Sequence, residues 1–394
     1  MNRNESLLIS RLRFPMTLAV VAQHCMGAAL IAWDTLGTKD IPGLVKTLIS
    51  GCAVQVAVPV FFFISGFLFF QGVTKMNTES YFQKISRRWH SLIIPYILWS
   101  LLSIPLLALT MYGETLTGTS TMADLHDFWH GLSVKGVFWS YQESPYPFPN
   151  LFGWPLLYAS PVLGPFWFVR DLIIVSLLSP LVWWFVTKTK RWGLALLAAV
   201  YLLRIWPYTA VNSQILFFVF GAYWSLNGWG LTFQKASLRW LTYGTALLLL
   251  VVLVRLEGNA TYWGFQLMPS FTILGTAAVM NLGSLSHRPS LTSLPPSLKG
   301  EEEPLQRERE SDIGRWLSKS SFFVFALHMN FALPLGFFVT KAVFRGATGW
   351  AAATLQYLLT PLVIYAICLG VYAAMERLTP RFLNVLTGDR VKTR

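Results

Sequence analysis

Two residues in the first apolar stretch of the chain, Arg13 and His24, have the types and the spacing of a chemical site. On one α-helix they share a face and lie about 16 Å apart along the axis. A guanidinium binds anions, and an imidazole acts as a base or as a nucleophile. The spacing therefore predicts a ligand whose anionic head binds at Arg13 and whose reactive end reaches His24.

Each of these residues also has a structural explanation. His24 alone could form a hydrogen bond between helices, and Arg13 alone could be a cation that extends to the membrane surface. Polar groups within a membrane are costly, and for that reason they are functional candidates. We therefore judge the pair together with the other polar groups in apolar stretches.

A basic cluster, Lys84, Arg87 and Arg88, comes just before a later apolar stretch. These residues span one helical turn, so they could bind phosphate groups together with Arg13. The alternative is a basic flank that only sets the orientation of the span. Both interpretations predict this cluster on the cytoplasmic side.

Four further residues are candidates for supporting roles. Ser65, beside a glycine in an aromatic run, allows a ligand or a helix to approach closely, and close packing alone is the simpler explanation. The side chains of Arg170 and Asp171 are expected to point apart on a helix, each to its own partner, and Asp171 could orient an imidazolium or an acceptor hydroxyl. A structural ion pair with another helix is the alternative. His328 is a second imidazole in an apolar stretch, and with His24 and Asp171 it suggests a proton relay or an acyl-transfer site.

The elements that position these residues are membrane helices. The 394 residues are 54% hydrophobic and only 12% charged, about half the charged fraction of a soluble domain. Long uncharged runs match the roughly 20 residues that cross a bilayer. The predicted fold is all-α, a polytopic helical membrane protein with about ten transmembrane helices around a central cavity. The predicted spans are 13–33, 50–72, 91–112, 165–187, 191–207, 212–230, 239–255, 261–283, 319–340 and 350–374.

Lys and Arg collect in alternate loops, which predicts that both termini are cytoplasmic in a multi-pass protein of the inner (plasma) membrane. This distribution explains the net charge of +13 without a nucleic-acid partner. The three cysteines have no CxxC or zinc spacing, so no metal site and no disulfide framework are expected.

The chain is predicted to be a single domain, 1–394, with two long segments outside the spans. Residues 113–164 form an outer loop rich in aromatics and prolines, which either caps a cavity, presents a surface to a sugar, or simply connects two helices. Residues 284–312 are charged and low in complexity, as expected of a flexible cytoplasmic insertion. Residues 375–394 are expected to be a short basic tail.

Taken in order, these segments resemble the membrane-bound acyltransferase 3 family. The resemblance rests on the pair Arg13 and His24, on "VPVFFFISGFLFF", "RRWHSLIIPYILWS" and "FWFVRDLIIVSLLSPL", and on the late "VFALHMNF". It covers most of the chain outside 113–164 and 284–312. Where related sequences have a basic pair spaced Arg-x-x-Arg, this chain has Lys84 and Arg87.

The resemblance implies transfer of an acyl group, commonly acetyl, from cytoplasmic acetyl-CoA to a hydroxyl of an extracytoplasmic carbohydrate, such as a surface polysaccharide or a lipid-linked glycan. Acetyl-CoA would act as a co-substrate, without a metal. Arg13 and His24 would be the essential pair, with His24 catalytic as a covalent acyl carrier or as a general base. Asp171 would assist, and Lys84, Arg87 and Arg88 would bind the donor. Ser65, Arg170 and His328 would support the site.

Two other classes of function fit the same residues. A transporter or flippase for a lipid-linked glycan or a small anion could line its path with Arg13, Asp171 and His328. A non-catalytic membrane subunit could use its polar residues only to hold helices together.

Overall fold

The computed structural model describes residues 3–25, 40–118, 120–139, 142–145, 148–155, 157–205, 209–282 and 311–390. The predicted insertion 284–312 lies almost wholly outside these ranges, as does the second part of the first predicted span. The described chain is helical apart from short connections and one pair of β-strands. The predicted all-α membrane class is confirmed.

In chain order, the α-helices are α1 Arg3–His24, α2 Ile41–Lys46, α3 Ala57–Phe70, α4 Thr78–Arg88, α5 Ile94–Thr117, α6 Met122–Gly131, α7 Val134–Phe138, α8 Trp167–Leu177, α9 Ser179–Leu202, α10 Thr209–Leu226, α11 Ala236–Arg255, α12 Tyr262–Leu282, α13 Asp312–Leu327, α14 Leu333–Val343, α15 Trp350–Leu378 and α16 Pro380–Leu386. The strands are β1 Gln142–Pro145 and β2 Leu157–Ser160, paired antiparallel.

Three long helices are continued through single π-helical turns. The π turns are Thr47–Cys52 between α2 and α3, Trp89–Ile93 between α4 and α5, and His328–Ala332 between α13 and α14. A π turn adds a residue to the helical turn and shifts the faces that follow, and such turns are frequent at functional sites. Two of them adjoin or contain a candidate residue, Arg88 and His328.

Every predicted span falls mainly on helix where it is described, although the breaks differ from the prediction. The predicted break between the spans 165–187 and 191–207 is a kink inside α9, where Lys190 has φ 50° and ψ −134°. The sharper break comes earlier, because α8 and α9 meet at a bend of 65° near Leu178. Sequence pattern did not locate that bend, since both of its sides are equally apolar.

Six described helical segments are long and apolar enough to cross a membrane, and the bent pair α8–α9 makes a seventh if it is one span. The predicted number was about ten. Two of the predicted spans, 165–187 and 191–207, fall within that bent pair, whose bend lies inside the first of them. The apolar part of α10 is short, and α1 carries charges in its first half and is described only as far as Cys25.

Close packing of α3 against α10 organises the core beside the site. A Cβ on Gly66 would overlap the carbonyl of Phe218, and a Cβ on Gly221 would overlap that of Phe63. The two backbones therefore touch at two glycines, as small residues allow between membrane helices. The packing role expected around Ser65 and Gly66 belongs to the glycine.

The outer segment between α5 and α8 is folded onto the helices. It contains α6, α7 and the two strands. Asn150 donates to the carbonyl of Arg204 at 3.0 Å, and Gln266 of α12 donates to the carbonyl of Pro149 at 2.8 Å. These bonds attach the residues around 150 to the end of the helical bundle.

Candidate active site

His328 opens a π turn in the interior of the protein and is completely buried. Its Nδ1 lies 2.8 Å from the carbonyl oxygen of Phe325 and 3.3 Å from that of Val324. A carbonyl oxygen only accepts hydrogen bonds, so Nδ1 carries the proton that is donated. In the neutral ring Nε2 then presents a lone pair. Among the described residues this buried Nε2 has no hydrogen-bond partner.

His24 lies beside His328, with the two ring centroids 5.2 Å apart and the planes inclined by 45°. The residues are far apart in sequence, and they meet because α1 packs against α13. Two imidazoles at this distance can share or relay a proton. The structure thus brings together the two histidines that the sequence placed in separate spans.

The end of α1 that carries His24 is held by a buried hydrogen-bond chain. The Ser50 hydroxyl donates to the carbonyl of Ala22 at 2.5 Å and lies 2.5 Å from the hydroxyl of Tyr357 on α15. Ser50 belongs to the first π turn, so α1, that turn and α15 are joined at this point. These hydrogen bonds hold the backbone at Ala22, two residues before His24.

A cavity of about 160 Å³ opens along α1 on the side of Arg13. Three arginines contribute to its wall: Arg13, Arg88 and Arg390. Thr17 of α1 also lines it, and on a helix Thr17 lies about 10 Å from His24 along the axis. The cations therefore line a cavity that runs along α1 from Arg13 to Thr17, while His24 lies further along the same helix and is not in the cavity wall.

The rest of the cavity wall is aromatic and aliphatic, with a few hydroxyls. Phe61 of α3, Phe168 of α8 and Phe325 of α13 line it. The ring of Phe325 also lies 6.0 Å from that of His328, so one side chain borders both the cavity and the histidine pair. An apolar wall beside grouped cations suits a ligand with an anionic end and a less polar arm.

The basic cluster before α5 divides between the cavity and the surface. Arg88 faces inward and donates from Nη2 to the hydroxyl of Ser65 at 3.2 Å. Lys84 lies over the Phe69 ring at 5.5 Å and is not part of the cavity wall, whereas Arg87 is exposed. Of the three predicted donor-binding residues, the structure brings Arg88 to Arg13, together with Ser65.

Arg390 is a functional candidate that sequence reasoning missed. Residues 375–394 were expected to be a short basic tail, but the described part of this tail folds back into the bundle. Leu383 and Leu386 of α16 are buried, and Arg390 reaches the cavity wall. The signal was present in the sequence, since α16 begins at Pro380 and is followed by Gly388, the residues that favour helix starts and ends.

The expectation that Arg170 and Asp171 point to separate partners is wrong. They form a buried ion pair with each other, in which Arg170 Nε donates to Asp171 Oδ1 at 2.8 Å. Arg170 also donates to the carbonyl of Trp139 in the outer segment and lies 4.9 Å from that ring. The two neighbouring side chains can meet because the longer one, Arg170, bends back toward Asp171. The hydrogen bond from Arg170 to the carbonyl of Trp139 stabilises that conformation.

The structure therefore assigns Asp171 a position beside the outer segment. Its second oxygen, Oδ2, is buried and has no hydrogen-bond partner among the described residues. Within the same part of the chain, its polar contact is with Arg170 and not with His24 or His328. The catalytic role suggested for Asp171 has no contact to support it in these ranges.

Asp171→Ala is expected to destabilise the protein by about 3–5 kcal/mol, because it leaves the Arg170 guanidinium buried without its carboxylate. The measurement is the midpoint of thermal unfolding in detergent. Replacing both residues, Arg170→Met with Asp171→Leu, should recover much of that loss. A stable Asp171→Ala protein that has lost activity would instead assign the carboxylate a direct role.

No three His, Cys, Asp or Glu side chains group as a metal site within the described ranges. The chemistry available at the site is that of two imidazoles beside an anion-binding cavity. One imidazole, His24, lies on the helix that also carries Arg13. The other, His328, has its proton position fixed by backbone carbonyls. This arrangement can take a proton or accept a group at one end of an anionic ligand.

Comparison with known proteins shows that the chain matches a protein family. A family model described as "Acyltransferase domain" matches residues 9–374. The chain is also 28% identical over 234 residues to the succinoglycan biosynthesis protein ExoH of Rhizobium meliloti (strain 1021), an alignment that covers 59% of this chain and 57% of that protein. The chain therefore matches little more than half of that relative. No solved structure matches it significantly.

Proposed function

Because the chain belongs to the acyltransferase family whose domain its residues 9–374 match, we propose that it transfers an acyl group, acetyl, from cytoplasmic acyl-CoA to a carbohydrate hydroxyl. The carbohydrate is extracytoplasmic or on the cell surface, and His24 is the catalytic residue. The observation that carries this proposal is that α1 contributes to two neighbouring features: Arg13 lines a cavity together with Arg88 and Arg390, and His24, further along the same helix, lies beside His328.

Acyl-CoA fits that cavity by its chemistry. Its nucleotide end carries phosphates, and a flexible pantetheine arm leads to the thioester. Arg13 and Arg88 would bind the phosphates, since guanidinium groups match phosphate geometry. The arm would pass between α1 and the ring of Phe168 toward His24. We place this cation-lined end on the cytoplasmic face of the inner membrane, as the charge bias predicts.

Two routes of transfer use His24. In the covalent route, an imidazole nitrogen of His24 attacks the thioester carbon, the C–S bond breaks, and the departing CoA thiolate takes the proton that the acylated imidazolium releases from its other nitrogen. The carbohydrate hydroxyl then attacks the acyl carbon, the bond between that carbon and the His24 nitrogen breaks, and the hydroxyl proton returns to the imidazole as the ester forms. In the other route, His24 takes the proton of that hydroxyl as it attacks the thioester directly, and the proton passes to the departing thiolate. In either route the His24 ring would donate a hydrogen bond to Nε2 of His328, which has no partner among the described residues, and that bond would hold the orientation of His24.

The acceptor is proposed from the relative and from the outer segment. The name of the relative concerns the biosynthesis of succinoglycan, a glycan. Residues 148–155 present Phe152 and Trp154 as exposed rings with centroids 5.6 Å apart. Exposed aromatic rings can pack against sugar rings. We therefore propose a surface polysaccharide, or a lipid-linked intermediate of its assembly, as the acceptor.

The test uses purified protein in lipid nanodiscs with labelled acetyl-CoA and candidate glycans. We expect release of free CoA thiol and a labelled, ester-linked glycan, with an acetyl increment that is missing from the surface glycans of a deletion strain. Glycan or anion flux through proteoliposomes without a donor, unaffected by His24→Ala, would show a transporter instead. Unchanged function in His24→Ala and in Arg13→Ala would leave only a structural role for these residues.

A further inference from the structure

The C-terminal segment, residues 380–390, is anchored in the bundle at several points. The side chains of Leu383, Leu386 and Thr387 are buried. Trp99 of α5 donates its indole N–H to the carbonyl of Leu386 at 3.0 Å. The segment is therefore packed against α5 as firmly as a core element, and its last described residue has a defined position.

Gly388 lets the segment contact the π turn at 89–93. Its φ is 66°, and a Cβ built there would lie 2.6 Å from the carbonyl oxygen of Ser91. Only glycine has both the backbone freedom and the lack of a side chain that this position needs. The close approach brings Arg390, two residues later, to the mouth of the cavity.

The Arg390 side chain is held in place by neutral groups. It donates from Nη1 to the carbonyl of Thr387 and from Nη2 to that of Ser91 at 3.5 Å. Its guanidinium lies 4.3 Å from the ring centroid of Phe322 on the cavity wall. These contacts occupy two of its five N–H groups and leave the charge itself unneutralised.

Arg88 is half-buried at the same wall, and its contacts are also neutral: the hydroxyl of Ser65 and the ring of Phe69. Across the described ranges, neither Arg88 nor Arg390 forms an ion pair with a carboxylate. Burial, and then the nearby charges of Arg13 and Arg88, lower the pKa of Arg390 to about 9. Like charges grouped in a cavity repel one another, and an anion with several oxygen acceptors relieves that repulsion.

We propose that the C-terminal segment positions Arg390 in the donor site, where Arg390 binds a phosphate of the acyl donor as the third guanidinium beside Arg13 and Arg88. This inference rests on the proposed function. The family match ends at residue 374, so the comparison assigns no role to this segment. The recognised group is a phosphate ester, which is found both in the nucleotide end of CoA and in lipid headgroups.

The test measures CoA affinity and the KM for acetyl-CoA in nanodiscs. Arg390→Ala should weaken both about tenfold or more, as expected for loss of a charge-assisted bond to phosphate, with kcat at saturation within about twofold. The CoA affinity and the KM of Arg390→Lys should lie between those of the wild type and those of Arg390→Ala. S-acetylpantetheine, which has no phosphate, should be used equally well by all three proteins. Arg381→Ala, which removes an exposed cation from the same segment, is the matched control and should resemble the wild type.

A second variant moves Arg390 without removing it. Gly388→Ala places a methyl group against the Ser91 carbonyl and strains a backbone at positive φ, so the segment should shift. We expect a similar rise in the KM for acetyl-CoA, again without an effect on S-acetylpantetheine. Agreement between the two variants would attribute the effect to the position of the guanidinium.

Several outcomes would overturn the inference. One is unchanged CoA affinity in Arg390→Ala, and another is an equal loss with S-acetylpantetheine, which would show a structural role. A third is an Arg390→Ala effect that appears in phosphatidylglycerol nanodiscs and disappears in phosphatidylcholine, which would assign Arg390 to a lipid headgroup. If the wild type neither binds CoA nor cleaves acetyl-CoA, the proposed function itself fails. An active wild type with an unchanged KM for acetyl-CoA in Arg390→Ala would reject this inference alone.

Discussion

His24→Ala is expected to reduce acyl transfer from acetyl-CoA by about 10³-fold or more while leaving CoA affinity within about threefold of the wild type. A positioned base or nucleophile contributes about 10²–10⁴-fold to a rate, and in this protein the same residue serves every proposed step. Binding should survive because Arg13 lies about 16 Å from His24 along α1, and the other two arginines of the cavity are on other elements. The measurements are the release of CoA thiol and a direct binding assay on the same preparation.

The control for this variant is His90→Ala, which removes an exposed histidine from the π turn that precedes α5. It should retain full transfer. Labelled donor without acceptor distinguishes the two routes, since only the covalent route leaves label on the purified wild type and none on His24→Ala. Transfer by His24→Ala at more than a tenth of the wild-type rate would contradict a catalytic role.

The helices were predictable because their signal is local. Long apolar runs bounded by cations gave the positions of the spans, and each one falls mainly on helix where it is described. The bend near Leu178 and the π turns were not predictable, because they depend on how a helix packs against its neighbours. Fewer helices are long enough to cross the membrane than were predicted, partly because two of the predicted spans fall within one bent pair of helices.

Part of the site was also local. Arg13 and His24 are on one helix, so their common face and separation follow from helix geometry alone. The approach of His328 to His24 depends on the packing of α1 against α13, which the sequence of neither helix shows. The sequence indicated the basic cluster as a whole and did not show which of its three residues faces the cavity, because the orientation of Arg88 toward Ser65 is set by the tertiary contact.

Two predictions were wrong because tertiary contacts override a local pattern: the exposed C-terminal tail and the separate partners of Arg170 and Asp171. Residues 375–394 are short and basic, and composition favours an exposed tail, but the apolar positions at Leu383 and Leu386 pack in the core. Arg170 and Asp171 were assigned to separate partners because only helix directions were considered. The carbonyl of Trp139, from a loop, supplied the third group that holds them together.

His328 gives the second prediction of large effect. His328→Asn is expected to lower acyl transfer by about 10²-fold, because the asparagine amide can replace Nδ1 as donor to the carbonyl of Phe325 but places nothing at Nε2. His328→Gln reaches the position of Nε2 with an oxygen acceptor and should retain roughly ten times the activity of His328→Asn. The measurement is the transfer rate at saturating acetyl-CoA together with its pH profile.

The relative activities of His328→Gln and His328→Asn distinguish a role in packing from a role in orienting His24. If His328 only fills space in the core, the two amides should behave alike or follow their size, and both should shift the unfolding midpoint without changing the pH profile. If Nε2 accepts the hydrogen bond that orients His24, glutamine must exceed asparagine at similar stability. The pH profile of the glutamine variant should also differ from that of the wild type, because an imidazole can pass a proton to or from His24 and an amide cannot. Equal rates and an unchanged pH profile in both variants would show that the 5.2 Å approach of the two rings serves packing alone.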